Sequence, residues 1–293
     1  MIPAAEHRDL AVRLAYDITG CWADAEEIAQ EAVTRVWATR DVRDPRALLA
    51  RVATNLAIDR LRTRRVDYVG PYLPEPVLTS DGADAAVEHA QEVEVALLVA
   101  LESLSPIERA CLLLHDVFAF SFDEVARMLD RSPAAVRQAA SRARSHAARR
   151  RPRFTHDDSA TRDLVSRFFA AIHHGQVADL VDLLTADVAL VADGGGKVTA
   201  ARRPVVGAEP VARFLAGLAG QFAGRFTFIP TRLNRADAQL VLLDGVVDQV
   251  VWVGVEEGRI ARLYLMRNPS KLTRCRDVPP PGMPTPVVPP ASG

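Results

Sequence analysis

The feature that most restricts the fold is a change of apolar rhythm near residue 160. Before it, apolar residues recur every three or four positions, which places them on one side of a helix. Leu10, Leu14 and Ile18 form one such stripe, stopped at Gly20. Asp24 is expected to open a second helix, with Glu27 three residues on as its reciprocal capping partner. Ile28, Ala29, Ala32, Val33, Val36 and Trp37 make its buried stripe, while Glu26, Gln30, Glu31, Thr34 and Arg35 face elsewhere. Asp44 and Pro45 open a third helix as cap and first residue. Leu48, Leu49, Val52, Leu56 and Leu61 supply its apolar side, and its far end is basic, with Arg60, Arg62, Arg64 and Arg65. Beyond residue 160, helical stripes at 164–172 and 180–184 give way to strand-like runs at 188–191, 205–206, 226–229, 239–243, 246–253 and 260–266. A helix from Pro210 to about Ala219 interrupts them. Helices followed by antiparallel-looking strands imply a separate α+β domain.

Between these regimes the punctuation is dense. Pro71, Pro74 and Pro76 exclude a helix, and Ser80–Asp81–Gly82 is turn chemistry, so 66–91 reads as a linker entering a helix from about residue 84. Ser105–Pro106–Ile107–Glu108 combines a cap, a first-turn proline and a capping-box Glu. Ser121–Phe122–Asp123–Glu124 repeats the box and opens a short helix ending near Leu129. Asp130–Arg131 is a tight turn, and Ser132–Pro133 caps the next helix; two helices so joined are a helix-turn-helix. The proline-rich end of the chain is expected to be disordered. The expected divisions are 1–66, a linker at 67–91, 92–152, 160–273 and a tail at 274–293.

A net charge of −1 neither supports nor excludes nucleic acid, but the charge is uneven. From Arg131 to Arg153 there are eight arginines and no acidic residue. Such a helix gains affinity for duplex DNA by counterion release. In a helix-turn-helix its start enters the major groove, which places Arg137, Gln138, Ser141 and Arg142 at base edges. Arg144, Arg149, Arg150 and Arg151 are better suited to phosphates. A plainer reading is a basic last turn complementing the helix dipole. Three widely spaced cysteines show no CxxC pair, so neither a zinc knuckle nor a disulfide framework is indicated, and no metal or cofactor is expected. No secretory signal or membrane-length apolar run is visible, so a cytoplasmic protein is expected.

The string from Asp24 to Trp37 resembles the segment by which sigma factors bind the clamp helices of the RNA polymerase beta-prime subunit. Pro45 to Arg62 resembles the helix that handles the promoter −10 element, and Leu104 to Arg109 with the following helix-turn-helix resembles the −35 reader. The chain is thus similar to extracytoplasmic-function sigma factors of the sigma-70 family over residues 5 to 150. The resemblance implies two all-α sigma domains, core polymerase and promoter DNA as partners, and polymerase contacts at Asp24, Glu26, Glu27, Gln30, Glu31 and Arg35. It assigns Asn55, Arg60, Arg64 and Arg65 to DNA. Asn55 can instead cap local backbone, and Trp37 and Tyr68 can stack on bases, although a Trp in an apolar stripe more often belongs to the core. Promoter elements about two turns apart lie roughly 70 Å from each other, and about 25 extended linker residues reach roughly 80 Å.

The continuation past 160 resembles the SnoaL-like branch of the nuclear-transport-factor-2-like fold, an α+β cone. Three strings place the chain with the sigma-J type, which carries this fusion: Tyr72-Leu73-Pro74-Glu75-Pro76, Asp193-Gly194-Gly195-Gly196-Lys197, and Asn268-Pro269-Ser270-Lys271-Leu272. Tyr stands where Trp is usual in the first, and Ser where Asp is usual in the last. The resemblance implies control of sigma activity in cis. A glycine turn at 194–196 lets backbone approach closely, a stiff Tyr72–Pro76 segment docks at little entropic cost, and a Lys197–Glu75 ion pair is expected between them. A plainer reading makes 194–196 a hairpin loop. Catalysis is not expected: Asp193, Asp248, His173 and His174 are the candidates, and no HExxH spacing occurs. A monomer is expected, and a small-molecule ligand of the last domain is left open. The alternative is a helix-turn-helix regulator whose C-terminal domain senses such a ligand; polymerase association separates the two.

Overall fold

The computed structural model describes residues 4–39, 42–78, 95–150 and 159–276. Three helices come first: α1 (Ala4–Thr19), α2 (Trp22–Ala38) and α3 (Pro45–Asp67). Then follow α4 (Val95–Leu101), α5 (Pro106–Leu112) running into a π turn at Leu113–Val117, α6 (Phe122–Leu129) and α7 (Pro133–Arg150). The helix expected from about residue 84 lies outside the described residues up to α4. Asp44 Oδ1 accepts from Ala47 N at 3.0 Å, and Ser105 and Ser121 both close complete capping boxes. Each satisfies orphan amides of a first turn.

Two expectations shift in α2. The helix starts at Trp22, not at Asp24, and its N-cap Cys21 makes no side-chain cap bond. The cap comes from far away, as Glu75 Oε2 accepts from Trp22 N at 2.8 Å. Trp37 is 66% exposed instead of buried. The buried positions Ala25, Ile28, Ala29, Ala32 and Val36 end the stripe, and one further residue turns about 100° away from it.

One apolar core runs through the whole helical half, from Leu10 in α1 to Ala143 in α7. The two helical domains therefore sit against each other. The reach available in an extended linker is not used in this arrangement.

The C-terminal half carries α8 (Ser159–His174), α9 (Val177–Leu183), α10 (Ala208–Gln221) and six strands. These are β1 (Leu184–Asp193), β2 (Val205–Val206), β3 (Phe226–Leu233), β4 (Ala236–Leu243), β5 (Val246–Glu256) and β6 (Arg259–Met266). The sheet order is β2-β1-β6-β5-β4-β3, with β1 and β6 parallel and the other pairs antiparallel. Left-handed residue pairs at Asn234–Arg235, Asp244–Gly245 and Glu257–Gly258 make the three hairpin turns. Leu184 begins β1 instead of ending the helical stripe.

Strand alternation decides what the sheet touches. Val251, Val253, Leu263 and Leu265 point into a core with Phe168, Phe169, Leu180 and Leu215 of the domain's own helices. Val250, Trp252, Tyr264 and Met266 point the other way and bury Leu73 of the linker and Val95 of α4. One sheet face is therefore covered by the sigma-like part of the chain. Thr273–Cys275 form a 3-10 turn with Cys275 buried, so ordered chain continues past 274; residues 277–293 lie outside the described ones.

Candidate functional site

The helix-turn-helix is held by local chemistry. Asp130 takes the left-handed conformation at φ 52°, Arg131 N donates to Ala126 O at 2.9 Å, and Ser132 Oγ accepts from Ala135 N at 3.2 Å. Val136, Ala139, Ala140 and Ala143 seat α7 on the bundle. Arg137, Gln138 and Ser141 stay exposed. Arg142 pairs with Glu108 at 3.1 Å, and Arg144 grips both oxygens of Asp116 at 2.7 and 2.5 Å. The side chains of Arg149 and Arg150 and all of Arg151 and Arg153 lie outside the described residues.

The α2–α3 face is already engaged. Arg60 bridges Asp24 at 2.6 Å and Glu27 at 2.9 Å. Glu31 pairs with Arg35 at 2.6 Å, and Gln30 is exposed. Glu26 takes Arg274 of the C-terminal turn at 3.0 Å, and Arg274 also stacks 4.4 Å above Trp22. Arg64 is 14% exposed, donates to Thr19 O and lies 3.7 Å over the Tyr72 ring. The side chain of Arg65 lies outside the described residues.

A polar cluster buried between the linker and β1 joins the two halves. Asp193 is fully buried, and its carboxylate accepts from Tyr68 Oη at 2.5 Å, Leu73 N at 2.9 Å, Gly195 N at 3.0 Å and Lys271 Nζ at 2.8 Å. Lys271 also donates to Leu73 O at 2.7 Å and lies 3.1 Å from the centre of the Tyr72 ring. Asn268 Nδ2 donates to Tyr68 Oη at 2.9 Å. Burial pulls the Lys271 ammonium down to about 8, against the Asp193 carboxylate, which favours its charge. Burial and the same carboxylate raise Tyr68, keeping its hydroxyl a donor.

The glycine turn serves close packing. A Cβ on Gly195 would stand 2.2 Å from Asn268 Nδ2, at a φ of +58°. One on Gly194 would meet Val198 O at 2.7 Å, and one on Gly196 would meet Val69 at 3.1 Å. Pro269, half-buried, follows Asn268 in the turn after β6. The expected Lys197–Glu75 pair is replaced. Lys197 donates to Ser270 Oγ, and Glu75, 4% exposed, caps α2 while burial raises its pKa. Pro74 packs beside Gly20, whose carbonyl accepts from Glu75 N at 2.8 Å.

A second junction lies at the β3–β4 turn, at a residue the sequence did not single out. Asn234 N donates to Val77 O at 2.9 Å and its Oδ1 accepts from Val77 N at 3.1 Å. Its Nδ2 reaches Tyr16 Oη at 2.5 Å and Glu75 O at 3.3 Å, and its own carbonyl accepts from Val95 N at 3.1 Å. One turn residue thus holds α1, the linker and the start of α4.

Residues 4–66 match the family model for sigma-70 region 2, and residues 94–146 match that for sigma-70 region 4. The ECF RNA polymerase sigma factor SigJ of Mycobacterium tuberculosis is 38% identical over 91% of each chain. The chain belongs to the ECF RNA polymerase sigma factors. Its relatives include the probable ECF sigma factor SigI of M. tuberculosis, 26% identical over 92% of this chain and 93% of that one. The crystal structure of M. tuberculosis SigJ superposes with a TM-score of 0.72 at 35% identity, covering 92% of this chain and 96% of that one. As a sigma factor it binds core polymerase and promoter DNA to initiate transcription. No helix among the described residues is long and apolar enough to cross a membrane.

In this sigma factor regions 2 and 4 touch through the helix that resembles the −10 reader. Asn55 Nδ2 of α3 donates to Met128 O, in the last turn of α6, at 3.5 Å. Arg46 of α3 donates to Phe118 O at 3.4 Å and lies 4.7 Å over the Phe120 ring. Arg109, 1% exposed, donates to Ile18 O at 2.7 Å and pairs with Glu102. Asn55 and Arg64 are therefore both engaged by protein partners.

Proposed function

We propose that the fused SnoaL-like domain regulates the sigma factor in cis by holding regions 2 and 4 closed on each other. The carrying observation is the buried Asp193 carboxylate, whose partners come from the linker and from Lys271 together. In the open state α2 docks on the clamp helices of the beta-prime subunit through Asp24, Glu26, Glu27, Gln30, Glu31 and Arg35. Asn55, Arg60, Arg64 and Arg65 then act at the −10 element, and Arg137, Gln138, Ser141, Arg142 and Arg144 at the −35 element. Arg60 and Arg64 must exchange acidic and carbonyl partners for phosphates. The closed form therefore withholds residues that the open form uses. The chain acts as a monomer in the cytoplasm and by binding alone, since its buried carboxylate is spent on structure.

Transcription in vitro tests this, using core polymerase with the full chain or with its Asp193→Asn variant. The variant is expected to initiate more strongly at the same promoter. Equal output, with both proteins bound to polymerase, overturns cis control by this junction.

A further inference from the structure

A cleft of about 770 Å³ opens between the linker and the helix-covered side of the C-terminal domain. Its size falls in the range of small-molecule sites, about 300–1,000 Å³. Phe222 and Phe226, with ring centres 5.4 Å apart, form an aromatic wall with Phe214 nearby. Gln249 of β5 is 8% exposed and lines the floor, and its carboxamide has no hydrogen-bond partner among the described residues. The carboxamide can both donate to and accept from a group in the cleft.

The charge of the rim has one sign in excess. Arg267 is neutralised by Asp248 at 2.9 and 3.0 Å, and Asp248 is the only carboxylate lining the cleft among the described residues. Lys197 and Arg202 remain, and Arg202 has no acidic partner among those residues. The opposite wall is not part of the domain at all: it is Val69, Gly70 and Pro71 of the linker.

We infer that this cleft binds a small organic anion with an aromatic body. The rings lie against Phe222 and Phe226, a polar group meets Gln249, and the anionic group faces Arg202 and Lys197. The inference rests on the cis-control reading in one respect. Because the linker completes the site, the ligand binds the closed form better than the open one, and so holds the factor closed.

The test is a fluorescence titration of the full chain with 1-anilinonaphthalene-8-sulfonate, an aromatic ring system bearing one anionic group. Saturable binding at one site is expected. Arg202→Glu, an exposed position that leaves the fold intact, and Gln249→Leu should each weaken it about tenfold or more. No binding, or binding indifferent to both changes, overturns the site. Asp193→Asn should also weaken the probe, because opening removes the linker wall. If that variant opens by interdomain distance yet binds equally well, the coupling to the linker is overturned while the site stands. If it does not open at all, the cis-control reading falls instead.

Discussion

Asp193 and Lys271 meet at 2.8 Å with side chains 0% and 6% exposed, one at the end of β1 and the other in the turn after β6. Both belong to the SnoaL-like domain, yet Tyr68, Tyr72 and Leu73 of the linker close the space around them. The pair is a socket that the linker fills.

Lys271→Met deletes the bonds that Nζ donates to Asp193 and Leu73 O, which even a neutral amine can keep, and leaves both buried acceptors short of a donor at about 1–3 kcal/mol each. Lys271→Met should therefore open the molecule, seen as a longer distance between fluorophores on region 4 and the C-terminal domain. The double variant with Asp193→Asn should be less open than Lys271→Met alone, since no lone charge remains. A double variant more open than either single one would sink this account.

The pH dependence follows from Lys271. Exposed in the open form it keeps its proton to about 10.5; buried in the closed form, only to about 8. Between those values the closed form holds fewer protons, so closure releases one and is favoured as pH rises. Asp193 keeps Tyr68, Leu73 N and Gly195 N as donors there. The closed fraction should climb from pH 8 towards 10, and this slope should vanish in Lys271→Met. A falling closed fraction in the unaltered protein contradicts the assignment.

Asn234 offers an independent handle. Its φ of +51° makes glycine the substitution that removes the side chain without adding backbone strain. Asn234→Gly deletes the bonds to Val77 N, Tyr16 and Glu75 O, each worth about 0.5–1.5 kcal/mol net. Hydrogen exchange at the Val77 amide should speed up while the strands β4 and β5 keep their protection. Unchanged exchange at Val77 means that the turn does not hold the linker.

What could be read in the sequence was whatever is written locally. Asp44, Ser105, Ser121 and Ser132 mark helix starts because a cap acts within three residues. The six strands were visible because β-branched runs fit a sheet buried on both faces. The strings at Tyr72–Pro76, Asp193–Lys197 and Asn268–Leu272 pointed to the junction, but its pairings are not local. Lys271 meets Leu73 across 198 positions and Asn234 meets Tyr16 across 218, separations that leave no periodic trace. Glu75 was assigned to Lys197 because charge alone suggested it, whereas the fold uses it to cap α2, where the helix N-terminus favours an acid.

Arginines of α7 should divide into two behaviours. Arg137 is exposed with no carboxylate partner among the described residues, in the turn of α7 that would face bases. Arg144 is fixed by Asp116, and its proposed role is a phosphate contact. Arg137→Ala should cost about 1–3 kcal/mol at one promoter position and relax the preference there. Arg144→Ala should weaken binding to all sequences alike and lower the salt slope by about one. The measurement is binding of the full-length sigma factor, opened by Asp193→Asn, to a panel of single-base promoter variants at several salt concentrations. Identical patterns for the two variants would show that the first turns of α7 do not enter the groove.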